Sequence, residues 1–239
     1  MIATAPQPPV IEYPSSDGEP MAETGTHVES IYMLRESLLT FYAGRADVLV
    51  TTDQFLYWEQ GSARRRRSPD IMIIPGVASG LVDRYCTWEH AGTIPAAVFE
   101  FSSAGTVARD LGVKRRDYRR IGIAEYFLFD PSGLHLNPSF QGFRLRGTRY
   151  VPIRPVNGAM ESRLGFTMTP EGIMLRVRNS ATGVPVLLGR ELAAVEQQRA
   201  DAEQQKAEAE KARADSLEAK VARLQALLQQ HNIPSGNGS

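Results

Sequence analysis

The chain has 239 residues, with 27 basic and 27 acidic side chains and a formal net charge of zero. Its apolar content of 42% supports a folded core of one or two domains. The single cysteine, Cys86, excludes an internal disulfide, and the four histidines lack the spacing of a zinc site. The sequence shows neither a signal peptide nor an apolar run of about 18 residues. We therefore expect a cytoplasmic protein that does not enter a membrane.

The N-terminal quarter begins with a proline-rich segment. Residues 1–25 hold five prolines and predict a flexible arm. Apolar residues at helical spacing from Val28 to Tyr42 then predict an amphipathic helix. Short strands are expected near residues 48–50 and 55–58.

Two carboxylates lie in apolar segments that follow. Asp70 opens the run "IMII", which is apolar on both faces and predicts an interior strand, and Glu100 lies inside the run "AAVFEF". A carboxylate in a buried strand is costly unless it is paired or bound to a metal. At corresponding ends of neighbouring strands, the two acids could jointly hold a hard divalent cation, Mg²⁺ or Mn²⁺. The alternative is that a nearby arginine satisfies either acid.

Lys114 stands out because the chain has only four lysines, and the other three lie in the C-terminal tail. A position that keeps lysine in an arginine-rich chain indicates a need for a compact ammonium. The segment from Thr106, a plausible N-cap, to Gly122, a plausible stop, predicts a helix. Lys114 completes its apolar stripe with Leu111, Tyr118 and Ile121. Alternatively, Lys114 extends along this stripe or pairs with Asp110.

Charge is unevenly distributed along the chain. Residues 60–120 carry eleven basic and six acidic side chains, a local net charge of +5, which suits a polyanionic substrate. Four consecutive arginines precede Asp70 on an expected loop: Arg64, Arg65, Arg66 and Arg67. They form either a nucleic-acid-binding phosphate clamp or a solvated charged loop.

The C-terminal half continues with a buried strand, "EYFLFD", and a hairpin over residues 142–145 and 150–153. Residues 191–230 then lack glycine and proline and predict a long helix, followed by a disordered tail over 231–239. A seven-residue register favours a possible coiled coil, although glutamates occupy one seam position in its N-terminal half. The alternatives are a single extended helix and a helix that packs on its own domain. The seam comprises Ala200, Ala207, Ala214, Leu217, Val221, Leu224 and Leu228.

The segments "SPDIMIIPG", "PAAVFEFSS", "TVARDLGVKRRDYRRIGIAEYFLFDP" and "SFQGFRL" together resemble the Uma-two family of restriction endonucleases, in the PD-(D/E)XK nuclease superfamily. The resemblance covers roughly residues 26–195. It implies an α/β (α+β) fold with an αβββαβ core and a mixed sheet over residues 26–190. It also implies a metal-dependent nuclease site, with Asp70 and Glu100 as the two acids. Ser102 occupies the superfamily's usual lysine position, and Lys114 matches the lysine that has moved to the following helix.

Two functional hypotheses follow. In the first, the protein is a divalent-metal-dependent endonuclease acting on DNA, with Asp70 and Glu100 as metal ligands and Lys114 as the third catalytic residue. We expect a homodimer, since cutting both strands of a duplex calls for two sites. The C-terminal seam is its candidate contact, and the alternative is a dimer that forms through the nuclease domain. In the second, the protein is a catalytically inactive nucleic-acid-binding or assembly module that uses the same fold and the C-terminal helix. Retention of all three polar residues favours the enzyme.

Overall fold

The computed structural model describes residues 11–14 and 25–230. The flexible arm and disordered tail predicted from the sequence therefore lie almost wholly outside the described residues. In chain order the elements are α1 (Gly25–Phe41), β1 (Val48–Thr52), β2 (Phe55–Tyr57), β3 (Arg66–Arg67), β4 (Ile71–Pro75), β5 (Arg84–Cys86), a 3-10 turn (Thr87–His90), β6 (Ala97–Phe101), α2 (Val107–Arg109), a π-helical turn (Asp110–Lys114), α3 (Arg115–Ile121), β7 (Glu125–Phe129), β8 (Phe140–Arg146), β9 (Arg149–Pro152), β10 (Met160–Glu161), β11 (Phe166–Glu171), β12 (Met174–Asn179) and α4 (Gly189–Gln230).

A six-stranded mixed sheet forms the centre of the fold, with strand order β1-β4-β6-β7-β8-β9. Only the β6–β7 pair within it is parallel, and the α2–α3 helix provides the crossover that a parallel pair needs. The other four pairs are antiparallel. The order α1, β1, β4, β6, α2–α3, β7 is the predicted αβββαβ core, which is confirmed together with the mixed sheet.

The central strands are apolar on both faces because both faces of the sheet are covered. On one face, α1 and strands β11 and β12 pack over residues such as Phe99 and Phe127. On the other face, the α2–α3 helix packs through Tyr118 against Met72, Val98 and neighbouring residues. The sequence did not predict the small β10-β11-β12 sheet that covers the first face. The candidate site lies on the second face, beneath the α2–α3 helix.

The arginine run was predicted to lie on a loop, and this is wrong for its second half. Arg66 and Arg67 form strand β3, which pairs antiparallel with Leu56 and Tyr57 of β2 in a separate three-stranded sheet. The extended backbone places the Arg66 guanidinium 4.7 Å from the centre of the Phe55 ring. The Arg66 guanidinium therefore packs on an aromatic face, where the cation is attracted to the ring.

The chain divides into two compact units, the first ending at Leu188 and the second beginning at Gly189. Within the described residues the second unit is helix α4, and the predicted long C-terminal helix is therefore confirmed. Its side chains are exposed from Leu192 onward within the described residues. The predicted limits of the nuclease domain, residues 26–190, stay a prediction. No helix in the described part of the chain is long and apolar enough to cross a membrane.

Candidate active site

Strand pairing brings the two predicted acids to the same edge of the sheet. Strands β4 and β6 are antiparallel, with Ile71 opposite Phe99. One step further along this register, Asp70 lies opposite Glu100, and opposed residues point to the same face. The Asp70 Oδ2 atom accepts a hydrogen bond of 2.5 Å from the backbone N–H of Phe101. Asp70 is therefore tied to the strand that carries Glu100.

Glu100 is 1% exposed and both of its carboxylate oxygens are engaged. Lys114 Nζ donates to Oε2 over 2.7 Å, and the Tyr118 hydroxyl donates to Oε1 over 2.5 Å. Both donors come from the helix that crosses this face of the sheet. The structure therefore brings Asp70, Glu100 and Lys114 together, and their catalytic role stays a prediction.

A π-helical turn over Asp110–Lys114 determines which helical residues face the sheet. The wider turn adds one residue to the helical repeat and so shifts the face that points inward. The predicted stripe is consequently wrong at Leu111, which is 39% exposed, while Asp110 is fully buried in its place. Asp110 Oδ1 lies 3.3 Å from Lys114 Nζ, so the lysine contacts two carboxylates rather than one.

Burial and charge shape the ionisation of this cluster. Burial raises the pKa of Glu100 from 4.5 to about 8; Lys114 opposes that rise, whereas Asp70 and Asp110 add to it. The pKa of Lys114 lies above its ordinary value, because the surrounding carboxylates, Glu100 first, outweigh the lowering effect of burial. Burial, followed by the charge of Glu100, holds the pKa of Tyr118 well above its usual range. At neutral pH Lys114 is therefore an ammonium and Tyr118 a neutral hydrogen-bond donor.

The donor set fits a hard divalent cation that keeps part of its water shell. Within the described residues, no group of three His, Cys, Asp or Glu side chains could hold a metal ion. Mg²⁺, however, is commonly bound through one or two carboxylates, with waters and substrate phosphates completing its shell. Asp70 and Glu100 provide two carboxylates, and each Glu100 oxygen has a lone pair beyond its single hydrogen bond. The fully ionised cluster of Asp70, Glu100, Asp110 and Lys114 carries a net charge of −2, which a divalent cation would balance.

The four arginines differ in their contacts. Arg64 and Arg65 are exposed, and Arg65 pairs with Glu59 over 3.3 Å. Arg67 forms a half-buried ion pair with Asp117 of α3. This pair connects the small β3-β2-β5 sheet to the helix that carries Lys114.

Two residues of the cluster had no predicted role in the site. Tyr118 was predicted only as an apolar stripe residue, and nothing in the sequence marks its hydroxyl as a partner of Glu100. Asp110 was considered as a pairing partner of Lys114, because the two are four residues apart. Its complete burial depends on the π-helical turn, which the residue pattern does not reveal.

The order of α1, β1, β4, β6, α2–α3 and β7 around a mixed sheet is the restriction-endonuclease-like fold. The chain belongs to the Uma2 family, which is described as "putative restriction endonuclease" and matches residues 3–170. Among solved structures, the chain is similar to the crystal structure of a putative nuclease belonging to DUF820 from Anabaena variabilis. The two share 11% identity with a TM-score of 0.41, over 63% of this chain and 80% of that chain. No curated protein matches the chain.

Proposed function

We propose that this Uma2 chain is a divalent-metal-dependent endonuclease that hydrolyses phosphodiester bonds in DNA. The observation that carries the proposal is the buried cluster in which Asp70 and Glu100 lie opposite each other and Lys114 donates to Glu100 over 2.7 Å. The charged partner of the Glu100 carboxylate is the one lysine of the chain outside the tail rather than an arginine. Family membership supports nuclease chemistry.

Asp70 and Glu100 would hold the cation, with Mg²⁺ or Mn²⁺ as the candidate ions. A bound divalent cation supplies Lewis-acid polarisation of the scissile phosphate and lowers the pKa of a coordinated water. Lys114 remains protonated at neutral pH, so it cannot accept a proton from that water. Its ammonium instead orients the attacking water by donating a hydrogen bond, or neutralises charge that develops on the phosphate. Tyr118 keeps Glu100 in place from the opposite oxygen.

A polyanionic substrate such as DNA is supported by the basic character of the segment around the site. The exposed Arg64 and Arg65 are available for phosphate contacts, which need charge and no base readout. Arg66 and Arg67 are engaged by Phe55 and Asp117 and would hold the clamp in position. The clamp is thus anchored through Arg67 to the helix that carries Lys114.

The decisive experiment is a cleavage assay on supercoiled plasmid, duplex and single-stranded oligonucleotides, and RNA, with Mg²⁺, Mn²⁺ or EDTA. We expect cleavage of DNA with either metal and none with EDTA, and loss of cleavage in Asp70→Asn. Cleavage that persists in EDTA, or in Asp70→Asn, would contradict the proposed site. Binding without cleavage under every condition would instead favour the catalytically inactive nucleic-acid-binding module.

We further propose that the protein forms a homodimer through helix α4. The seam predicted from the heptad register is exposed along the helix: Leu217 is 54% exposed and Leu224 is 60% exposed. The apolar part of the seam extends from Ala214 to Leu228, and such a stripe on a solvated helix is typical of one strand of a coiled coil. A second copy of the chain offers the same stripe and is therefore the simplest partner.

A further inference from the structure

We infer that Asp110 is a positioning residue of the site, which fixes the ammonium of Lys114 while Ser102 holds Asp110 in place. The inference rests on the proposed function, and it adds a carboxylate and a hydroxyl to the Asp70, Glu100 and Lys114 set. None of the hydrogen bonds described above joins Asp110 to Asp70 or Glu100, the proposed metal ligands. It acts through Lys114.

The contacts of Asp110 are divided between its two oxygens. Oδ2 accepts a hydrogen bond of 3.0 Å from the Ser102 hydroxyl, and Oδ1 lies 3.3 Å from Lys114 Nζ. Among the described residues Oδ1 is buried and accepts no hydrogen bond of good geometry, so the ammonium is its only close cation. A buried carboxylate oxygen in this state is costly unless a positive charge faces it. Lys114 is that charge.

Ser102 has a different role from the lysine that is usual at its position in the superfamily. It lies two residues after Glu100, directly after β6 ends at Phe101, and is 1% exposed. In the superfamily pattern this position supplies the ammonium itself. Here the serine hydroxyl orients Asp110, and Asp110 orients an ammonium that comes from the helix. Position 102 therefore still determines where the positive charge lies. It does so through two contacts, Ser102 with Asp110 and Asp110 with Lys114.

The need for Asp110 follows from the role of Glu100. Without a cation, Lys114 is held by Glu100 and Asp110 together. If Glu100 held a cation, part of its charge would be directed to that ion, and its attraction for the ammonium would weaken. Asp110 would then be the carboxylate that keeps Lys114 in position. The backbone carbonyl of Asp110 also accepts a hydrogen bond of 2.9 Å from Tyr126, so its own position is fixed by the sheet.

The test compares Asp110→Asn with the wild-type protein in the cleavage assay. Asparagine keeps the shape and a hydrogen bond to Ser102 but loses the charge that faces Lys114. We expect kcat to fall roughly 10- to 100-fold, as for other residues that orient a catalytic group, with KM and Mg²⁺ affinity unchanged. Ser102→Ala should lower kcat by a smaller factor. This variant replaces Asp110→Asn as the test if Asp110→Asn folds poorly. Glu125→Gln is the matched control, because Glu125 is also buried and ion-paired, to Arg144.

A double-mutant cycle separates positioning from a general structural effect. If Asp110 acts through Lys114, Asp110→Asn should cause no further loss of kcat in a Lys114→Ala background. An equal loss in both backgrounds would overturn the inference. So would wild-type kcat in Asp110→Asn, or a loss as large in the Glu125→Gln control.

A second readout does not depend on cleavage. The chain has four lysines, and the three besides Lys114 lie in the exposed helix α4, so selective ¹³C labelling at lysine Cε isolates Lys114. At a single pH and with Mg²⁺ present, Lys114 should relax as an ordered side chain in the wild type and as a more mobile one in Asp110→Asn. Equal order in the two proteins would overturn the inference. If the wild type cleaves no nucleic acid, the proposed function fails, and the role of Asp110 is decided by this measurement.

Discussion

Glu100 should lower the stability of the protein at alkaline pH, and replacing it by glutamine should remove that penalty. Burial raises the pKa of Glu100 from 4.5 to about 8, so the folded state holds the proton more tightly than the unfolded chain. A carboxyl with this shift stabilises the fold below pH 4.5, and the contribution is lost as the pH rises toward 8. In Glu100→Gln the side chain is neutral at every pH and keeps nearly the same shape.

The expected magnitude follows from the two pKa values. Each pH unit between them costs the wild type about 1.4 kcal/mol, or about 4 kcal/mol between pH 5 and pH 8. This figure already includes the Lys114 ammonium, which holds the pKa of Glu100 lower than burial alone would. We therefore expect Glu100→Gln to unfold at higher urea concentration than the wild type at pH 8.5. At pH 5 the difference should vanish or reverse.

Urea unfolding with EDTA present, at pH 5, 7 and 8.5, measures this difference. Tryptophan fluorescence is the suitable probe, because both tryptophans, Trp58 and Trp88, belong to the unit that ends at Leu188 and none to helix α4. The reasoning is refuted if the two proteins show the same dependence of unfolding free energy on pH, or if the variant is the less stable at pH 8.5. Added Mg²⁺ should stabilise the wild type but not Glu100→Gln.

Four further outcomes are expected. Lys114→Arg should lose most of its cleavage activity, because a guanidinium is too wide for the space of the ammonium, and full activity would remove the case for a dedicated lysine. Lys114→Ala combined with Ser102→Lys should recover part of the activity lost in Lys114→Ala alone. If no activity is recovered, an ammonium from position 102 cannot replace the ammonium of Lys114. Arg64→Ala with Arg65→Ala should weaken DNA binding and make the slope of log K against log salt shallower by roughly 1 to 2, whereas an unchanged slope would mean that these arginines contact no phosphate. Leu224→Glu should convert the dimer to a monomer in light scattering, and a wild type that is already monomeric at micromolar concentration would refute the dimer itself.

Much of the fold could be predicted because burial leaves a direct pattern in these strands. The run "IMII" became β4 and the run around Glu100 became β6, since both are apolar on each face as central strands must be. The positions of Glu100 and Lys114 followed from polar residues in apolar settings. The β10-β11-β12 sheet was missed although residues 166–169 of β11 alternate between apolar and polar; Pro170 within that strand weakens the strand pattern. The π-helical turn was missed because it changes the helical repeat without changing the residue types.

The location of the lysine on a helix has a structural consequence. An ammonium supplied from position 102 would be placed by the strand itself, two residues from Glu100. From Lys114 the same charge depends on how the α2–α3 helix lies on the sheet, so the helix must be held accurately. Three hydroxyls of the site provide this: Ser102 and Tyr126 bind Asp110, and Tyr118 binds Glu100. In the proposed site these polar contacts would be part of the catalytic geometry, and weakening them should impair cleavage before it unfolds the protein.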